Sequence, residues 1–257
     1  MTLDDAALRR YARHIVLPEI GGVGQARLLD SAVLVVGMGG LGAPLALYLA
    51  AAGIGRLGLV DDDRVDASNL HRQVIFSEAD IGRPKVEAAA DRLRGLASAI
   101  QIEPHARRLE AADAGSLIAS YDLVADGTDN VATRRLVHDA AMTARRPLVA
   151  GSVQGVDGQL TLYRAYDGPP HPCLYCLFGG LEDAQSLPSC AQAGVLGPAA
   201  GLMGSLMAIE VIKTLVGLGP GLSGTLLHLD SLAPAIETLR FGRPPGCAAQ
   251  CRHGTGW

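Results

Sequence analysis

Four glycines directly follow an apolar run near the N-terminus, in a G-x-G-x-x-G spacing. The run is Val33-Leu34-Val35-Val36, and the glycines are Gly37, Gly39, Gly40 and Gly42. Glycine permits a sharp turn, lets the backbone approach a phosphate without an intervening Cβ, and allows the next helix to pack tightly. The free N–H groups at the start of that helix then face an anion. The pattern predicts a phosphate-binding loop, and by itself it fits NAD, FAD and ATP equally well.

Charged residues further along the chain favour a triphosphate. Asp61 ends the second predicted strand, where an acid would hold ribose hydroxyls in an NAD site or an ATP site alike. Arg72 and Lys85 can neutralise phosphate oxygens, and the carboxylate of Asp129 can hold Mg²⁺. A single arginine or lysine is more often a plain surface charge. Because these residues occur together with Asn69, we expect an ATP site.

Four of the five cysteines form two close pairs. These are Cys173-x-x-Cys176 and Cys247-x-x-x-Cys251, and both pairs lie in stretches rich in glycine and proline. Two such pairs fit a tetrahedral structural Zn²⁺. Free thiols are the alternative, and His253 could replace Cys251 as a ligand.

Short apolar runs alternate with helical patterns through the first half of the chain, which predicts a doubly wound, mostly parallel sheet of the Rossmann-like α/β class. In the second half this alternation ends, and strand patterns joined by turns flank a long apolar helix. We therefore expect a partly antiparallel C-terminal region. The predicted strands are 33–36, 57–60, 100–102, 123–125, 148–150, 159–163 and 225–229. The predicted helices are 3–15, 45–52, 85–96 and 199–215, with a polar turn at Gly21-Gly22.

Composition argues against two classes of partner. The net charge of −4 lacks the basic excess typical of nucleic-acid binders. Segments 32–55 and 190–209 carry no charge, but glycine and proline interrupt both, so we expect no membrane span. The first residues are acidic and contain no apolar stretch of a secretory signal. We therefore expect a cytoplasmic protein whose cysteines are thiols or metal ligands.

The order of these motifs resembles the ubiquitin-activating-like adenylyltransferases, and within them the bacterial MoeB/ThiF/HesA group. The resemblance covers nearly the whole chain, which would then be one ThiF-type domain with a structural zinc site. It implies a helical arm at 1–30, a nucleotide-binding half at 31–150, and a carrier-binding and zinc half at 151–257. The residues that it implies around the nucleotide, besides the four glycines, are Asp61, Ser68, Asn69, Leu70, His71, Arg72, Lys85, Asp129 and Asn130. The family binds zinc with two C-x-x-C pairs, whereas the second pair here has one extra residue.

The resemblance also implies a reaction and its partners. The C-terminal glycine carboxylate of a ubiquitin-like sulfur carrier of the MoaD or ThiS kind would attack the α-phosphate of ATP. Arg13 matches an arginine that reaches the nucleotide of the other subunit in a homodimer. Cys190 matches a cysteine that ThiF-like members use in an acyl-disulfide, and which MoeB-like members can lack. Since no rhodanese-like domain follows Trp257, we expect the sulfur donor to be a separate protein.

Two other classes of function stay open at this point. An NAD-dependent oxidoreductase is compatible with the glycine loop and Asp61, and bound or consumed NAD would identify it. A non-catalytic relative that only binds a ubiquitin-like protein is the other. The joint presence of Arg13, Arg72, Lys85 and Asp129 argues against such a scaffold, which has no need of them.

Overall fold

The chain forms one eight-stranded mixed sheet in a computed structural model that describes residues 3–178, 194–233 and 235–247. The strand order is β3-β2-β1-β4-β5-β6-β7-β8. The strands are β1 (Ala32–Val36), β2 (Arg56–Val60), β3 (Gln101–His105), β4 (Leu123–Asp126), β5 (Leu148–Gln154), β6 (Asp157–Tyr163), β7 (Thr225–Asp230) and β8 (Ala235–Arg240).

The sheet changes direction at β5. Strands β1 to β5 are parallel, and each neighbouring pair from β5 to β8 is antiparallel. The predicted fold class, a parallel doubly wound sheet with an antiparallel C-terminal region, is confirmed. Because β5 pairs with both β4 and β6, it crosses the predicted boundary at residue 150, and the two halves share a single sheet.

Helices cover both faces of this sheet. They are α1 (Asp5–Arg10), α2 (Ala12–Ile15), α3 (Gly21–Asp30), α4 (Gly42–Ala52), α5 (Lys85–Leu96), α6 (Ala114–Ala119), α7 (Val131–Thr143), α8 (Leu174–Phe178) and α9 (Gly197–Val216). Buried side chains of α4, α5 and α9 share one core with the sheet. Those of α6, α7 and α8 share a second core on the opposite face. Strands β1, β2 and β4 are buried almost throughout, which explains their continuous apolar runs.

The long apolar helix α9 is buried along one side in this fold. By length and composition alone it could cross a membrane. One side of it packs on β5, β6 and α4, and the buried carboxylate of Glu210 pairs with Lys213 at 2.7 Å. These contacts account for the apolar residues on the packed side of the helix.

The N-terminal region differs from the prediction in two places. The single helix predicted over residues 3–15 is broken at Tyr11, whose buried ring lies against Gly53 at a distance that would exclude a Cβ. The turn predicted at Gly21-Gly22 instead begins α3, entered through a left-handed Gly21 with φ +58°. Helix α3 was not predicted because it contains three glycines, and glycine disfavours helix formation. Tertiary packing against α9 stabilises it instead.

Candidate functional site

A cavity of about 460 Å³ opens at the carboxyl ends of β1, β2 and β4. Ligands of doubly wound sheets bind in this position, where the strand order reverses. Its walls include the glycine loop, the acidic end of β2, the segment before α5 and the loop between β4 and α7. Predicted site residues among the lining are Gly37, Gly39, Gly40, Asp61, Asn69, Arg72, Lys85, Asp129 and Asn130.

Steric constraints within the fold require glycine at some positions of the loop. Gly37 has φ +90°, which turns the chain out of β1. A Cβ at Gly42 would lie 1.9 Å from the carbonyl oxygen of Gly37, so only glycine lets α4 begin this close beneath the loop. Gly40 faces Arg72 and Ala200, while a Cβ at Gly39 would have only Gln73 within 4 Å. Gly42 shapes the loop without lining the cavity.

Asp61 is fixed by the glycine loop itself. Its Oδ2 accepts the Met38 N–H at 2.7 Å, and its Oδ1 accepts the Asp63 N–H at 2.8 Å. Burial raises the pKa of this carboxyl above its usual value of 3.8, while the nearby Lys85 ammonium and the two amide donors act in the opposite direction. The remaining lone pairs of an ionised Asp61 can accept further hydrogen bonds inside the cavity.

Lys85 brings a buried positive charge to the cavity from the first residue of α5. Only 4% of the residue is exposed, and its Nζ donates to Asp63 Oδ2 at 2.7 Å. An ammonium has three donors, so two remain for phosphate oxygens. Asp63, which anchors this lysine, was missed from the sequence because the two residues are brought together only by the fold.

The segment after β2 folds over the glycine loop. Asn69 Oδ1 accepts the Asp66 N–H, and the Asn69 carbonyl accepts the N–H groups of Arg72 and Gln73. The Arg72 guanidinium donates to the Ser68 carbonyl at 3.0 Å, which leaves other donors for a ligand. The remaining predicted contacts, Ser68, Leu70 and His71, belong to this segment but do not line the cavity.

The loop after β4 carries the predicted magnesium ligand. Asp129 is exposed and lines the cavity, and its carboxylate makes no hydrogen bond or ion pair with the described residues. Asn130 caps α7, since its Oδ1 accepts the Thr133 N–H at 2.8 Å. Arg134 donates to the Thr128 carbonyl and, at 2.8 Å, to the Gly151 carbonyl, which ties the loop to β5. Arg134 thus fixes the loop, and the carboxylate of Asp129 is available to a ligand.

Three arginines that line the cavity were not predicted from the sequence. They are Arg107, Arg108 and Arg134. Arg107 pairs with Asp113, whereas Arg108 is exposed and has no partner among the residues described. The dipeptide Arg107-Arg108 lies one residue after the end of β3, and this position near a strand end could have identified it from the sequence.

Three of the predicted zinc ligands lie together. The sulfur atoms of Cys173, Cys176 and Cys247 are separated by 3.5 to 3.9 Å, and no disulfide bond joins these three residues. Burial raises the pKa of the Cys176 thiol, and it raises that of Cys247 to about 12. This thiol cluster of Cys173, Cys176 and Cys247 can hold a metal. The predicted fourth ligand, Cys251, its alternative His253, and Cys190 lie outside the described residues.

Helix α7 connects this thiol cluster to the cavity. The buried His138 accepts the Leu174 N–H at Nε2, 3.2 Å away, so its proton lies on Nδ1 and is donated to Asp139. Asp139 also accepts the Tyr175 hydroxyl at 2.9 Å. Leu174 and Tyr175 stand between the two cysteines of the first pair.

Arg13 lies apart from the cavity. It is exposed on α2 and is not among the lining residues. Its predicted contact with a nucleotide is therefore consistent with a site on another chain and stays a prediction.

The sheet topology, the glycine loop and the cavity together define a doubly wound nucleotide-binding fold. The ThiF family model matches residues 11–249. The chain belongs to the ThiF family.

Two relatives show how far the similarity extends. The Bos taurus protein named "Adenylyltransferase and sulfurtransferase MOCS3" is 52% identical over 243 residues, which are 94% of this chain and 53% of that protein. The Thermus thermophilus "Sulfur carrier protein adenylyltransferase" is 44% identical over 242 residues, covering 93% of this chain and 89% of the relative. The chain thus spans about half the length of its MOCS3 relatives.

Solved structures of lower sequence identity share the fold. The crystal structure of E. coli MccB with MccA-N7isoASN superposes with a TM-score of 0.81 at 21% identity, covering 97% of this chain and 76% of that one. The structure of E. coli MccB with ATP gives a TM-score of 0.80 at 24% identity, with coverages of 94% and 74%.

Proposed function

We propose that this protein uses ATP to adenylylate the C-terminal glycine carboxylate of a small ubiquitin-like sulfur-carrier protein. The observation that carries the proposal is the joint presence of Arg72, Lys85 and Asp129 around one cavity beside the glycine loop. The names of the relatives from Bos taurus and Thermus thermophilus support the same activity. A site for hydride transfer does not need these three charged side chains beside the glycine loop.

The reaction is a displacement at phosphorus. An oxygen of the carrier carboxylate forms a bond to the α-phosphorus, the bond from that phosphorus to the bridging oxygen of the β-phosphate breaks, and pyrophosphate leaves with the electron pair. The carboxylate is ionised at neutral pH, so no general base is required. Arg72 and the two remaining Lys85 donors stabilise charge on the phosphate oxygens, and Asp61 orients the ribose.

Two metals fit the residues present. Magnesium, when bound, would shield the phosphate charge, and the unpaired carboxylate of Asp129 is an oxygen ligand of the kind it prefers. Zinc fits the thiol cluster, since ligands about 2.3 Å from a tetrahedral ion lie about 3.8 Å apart. The observed sulfur separations of 3.5 to 3.9 Å agree with that spacing.

A homodimer is part of the proposal. Arg13 has no described partner and would complete the nucleotide site of a second copy. The contacting helices α4 and α9 also leave Tyr48, Leu202 and Ile209 exposed, which is typical of a surface that another chain covers. The separate sulfur donor and the cytoplasmic location stay predictions.

The test is exchange of labelled pyrophosphate into ATP in the presence of Mg²⁺ and each of several MoaD-like and ThiS-like carriers. We expect carrier-dependent exchange, and we expect Asp129→Asn to lower it about 100-fold because a metal ligand supplies several kcal/mol to such chemistry. Glu87→Gln, an exposed substitution on α5, is the control and should retain the parental rate. Absence of exchange with every carrier would overturn the proposal, and turnover of NAD would favour an oxidoreductase.

A further inference from the structure

A buried side-chain amide without a partner lies against the glycine loop. Gln73 is 2% exposed, its Oε1 is buried, and its amide makes no hydrogen bond with the described residues. The residue lines the cavity. Oε1 is the enclosed half of this amide, and Nε2, which also has no partner among the described residues, is the half that is open to the cavity.

The local backbone aims this amide at the loop. The Asn69 carbonyl accepts the N–H groups of Arg72 at 3.1 Å and Gln73 at 2.9 Å, which fixes the two side chains in one turn. The stem of Arg72 lies 3.5 Å from a Cβ built at Gly40, and Gln73 Nε2 lies 3.9 Å from one built at Gly39. Consecutive side chains therefore cover consecutive glycines.

A second buried glutamine shows what structural pairing looks like in this fold. Gln25 is fully buried, its Nε2 donates to the Ala52 carbonyl at 2.9 Å, and its Oε1 contacts His14 Nδ1 at 3.1 Å. It lies outside the cavity. Gln25 satisfies both halves of its amide, whereas Gln73 satisfies neither. An apolar side chain of the same length would fill the position of Gln73 without the buried, unpaired carbonyl, so the amide is costly to the fold alone.

We propose that Gln73 is a further binding residue of the cavity, and that its NH₂ group donates to a non-bridging phosphate oxygen of the nucleotide opposite Gly39. Phosphate oxygens are acceptors only, and the NH₂ is the donor half of the amide nearest to the loop. The neighbouring cations supply charge, and the neutral amide adds directional binding at a single oxygen. This inference rests on the proposed use of ATP.

The test compares Gln73→Met with Gln25→Met. In the ligand-free protein, Gln73→Met should melt at the parental temperature or higher, because it removes an unpaired polar group, and Gln25→Met should melt lower. By calorimetry, Gln73→Met should bind ATP about tenfold more weakly and adenosine equally well. Gln25→Met should keep the parental ATP affinity.

A second variant keeps the test decisive if Gln73→Met folds poorly. Gln73→Glu preserves the shape and replaces the donor with a carboxylate, so ATP affinity should fall further than in Gln73→Met while adenosine affinity is kept. ATP affinity within twofold of the parental protein in both variants would overturn the inference, as would an equal loss for adenosine. If the parental protein binds no ATP, the proposed function itself fails.

Discussion

At the residue scale, the sequence was enough to choose candidate site residues by their side-chain chemistry. It was not enough to predict which side chains contact one another. The glycines, Asp61, Arg72, Lys85 and Asp129 could be selected because each type suits phosphate or metal binding. The ion pair of Lys85 with Asp63 could not be anticipated, because only the fold joins the end of β2 to the start of α5. The unpaired amide of Gln73 likewise has no signature in the sequence.

The raised pKa of Asp61 predicts an unusual response to acid. Ribose hydroxyls donate to the ionised carboxylate, so this part of nucleotide binding is lost as the pH falls through the folded-state pKa. Since burial raises that pKa above 3.8, the loss begins at a higher pH than for an ordinary aspartate. For the ligand-free protein the sign is opposite: ionising Asp61 lowers stability as the pH rises through the same pKa.

Calorimetry with ATP and 2′,3′-dideoxy-ATP, from pH 7 down to the lowest pH at which the protein stays folded, measures this effect, because phosphate titration is common to both ligands. We expect ATP to bind about tenfold more tightly than the dideoxy analogue at pH 7, with the ratio approaching one in acid. A ratio that does not change with pH would contradict the role of Asp61.

At the element scale, long apolar runs predicted strands reliably, whereas a helix that contains several glycines was not predicted. Strands β1, β2 and β4 are buried on both faces, so their sequence pattern is continuous. Helix α3 was missed because its stability comes from packing against α9 rather than from local propensity. The break between α1 and α2 depends on the contact of Tyr11 with Gly53, which are 42 positions apart in the chain.

Arg134 is expected to position the loop that carries Asp129. In Arg134→Lys the compact ammonium cannot span the Thr128 and Gly151 carbonyls as the guanidinium does, so the loop should loosen. We expect ATP binding to weaken about tenfold with Mg²⁺ present and to change little without it, measured by calorimetry. Arg92→Lys, on the exposed side of α5, is the matched control. Equal losses with and without Mg²⁺ would argue against this positioning role.

At the scale of the whole molecule, the proposed homodimer predicts complementation between two inactive variants. Arg13→Ala and Lys85→Ala should each abolish exchange, since each removes a cation from every site. A mixed dimer contains one site with both residues intact and one site that lacks both, so heterodimers should have about half of the parental activity. The assay is exchange with purified, verified heterodimers. Inactive heterodimers would count against a shared site.

The thiol cluster predicts a metal that supports stability. Analysis of the purified protein should find about one zinc per chain, and a chelator or Cys176→Ser should lower the melting temperature by several degrees. Cys190→Ser is the control and should leave the zinc content unchanged. Zinc-free protein with freely titrating thiols at Cys173, Cys176 and Cys247 would refute the site, and loss of zinc in Cys190→Ser would mean that the cysteines are wrongly paired.

Helix α7 contacts both the segment that carries the thiol cluster and the loop that carries Asp129. His138 holds the backbone beside Cys173, and one helical turn away Arg134 holds the loop of Asp129. A displacement of the segment from Cys173 to Cys176 therefore acts on the helix that holds the loop of Asp129. Oxidative damage to the cluster should thus reach the nucleotide end of the molecule while the eight-stranded sheet is still intact.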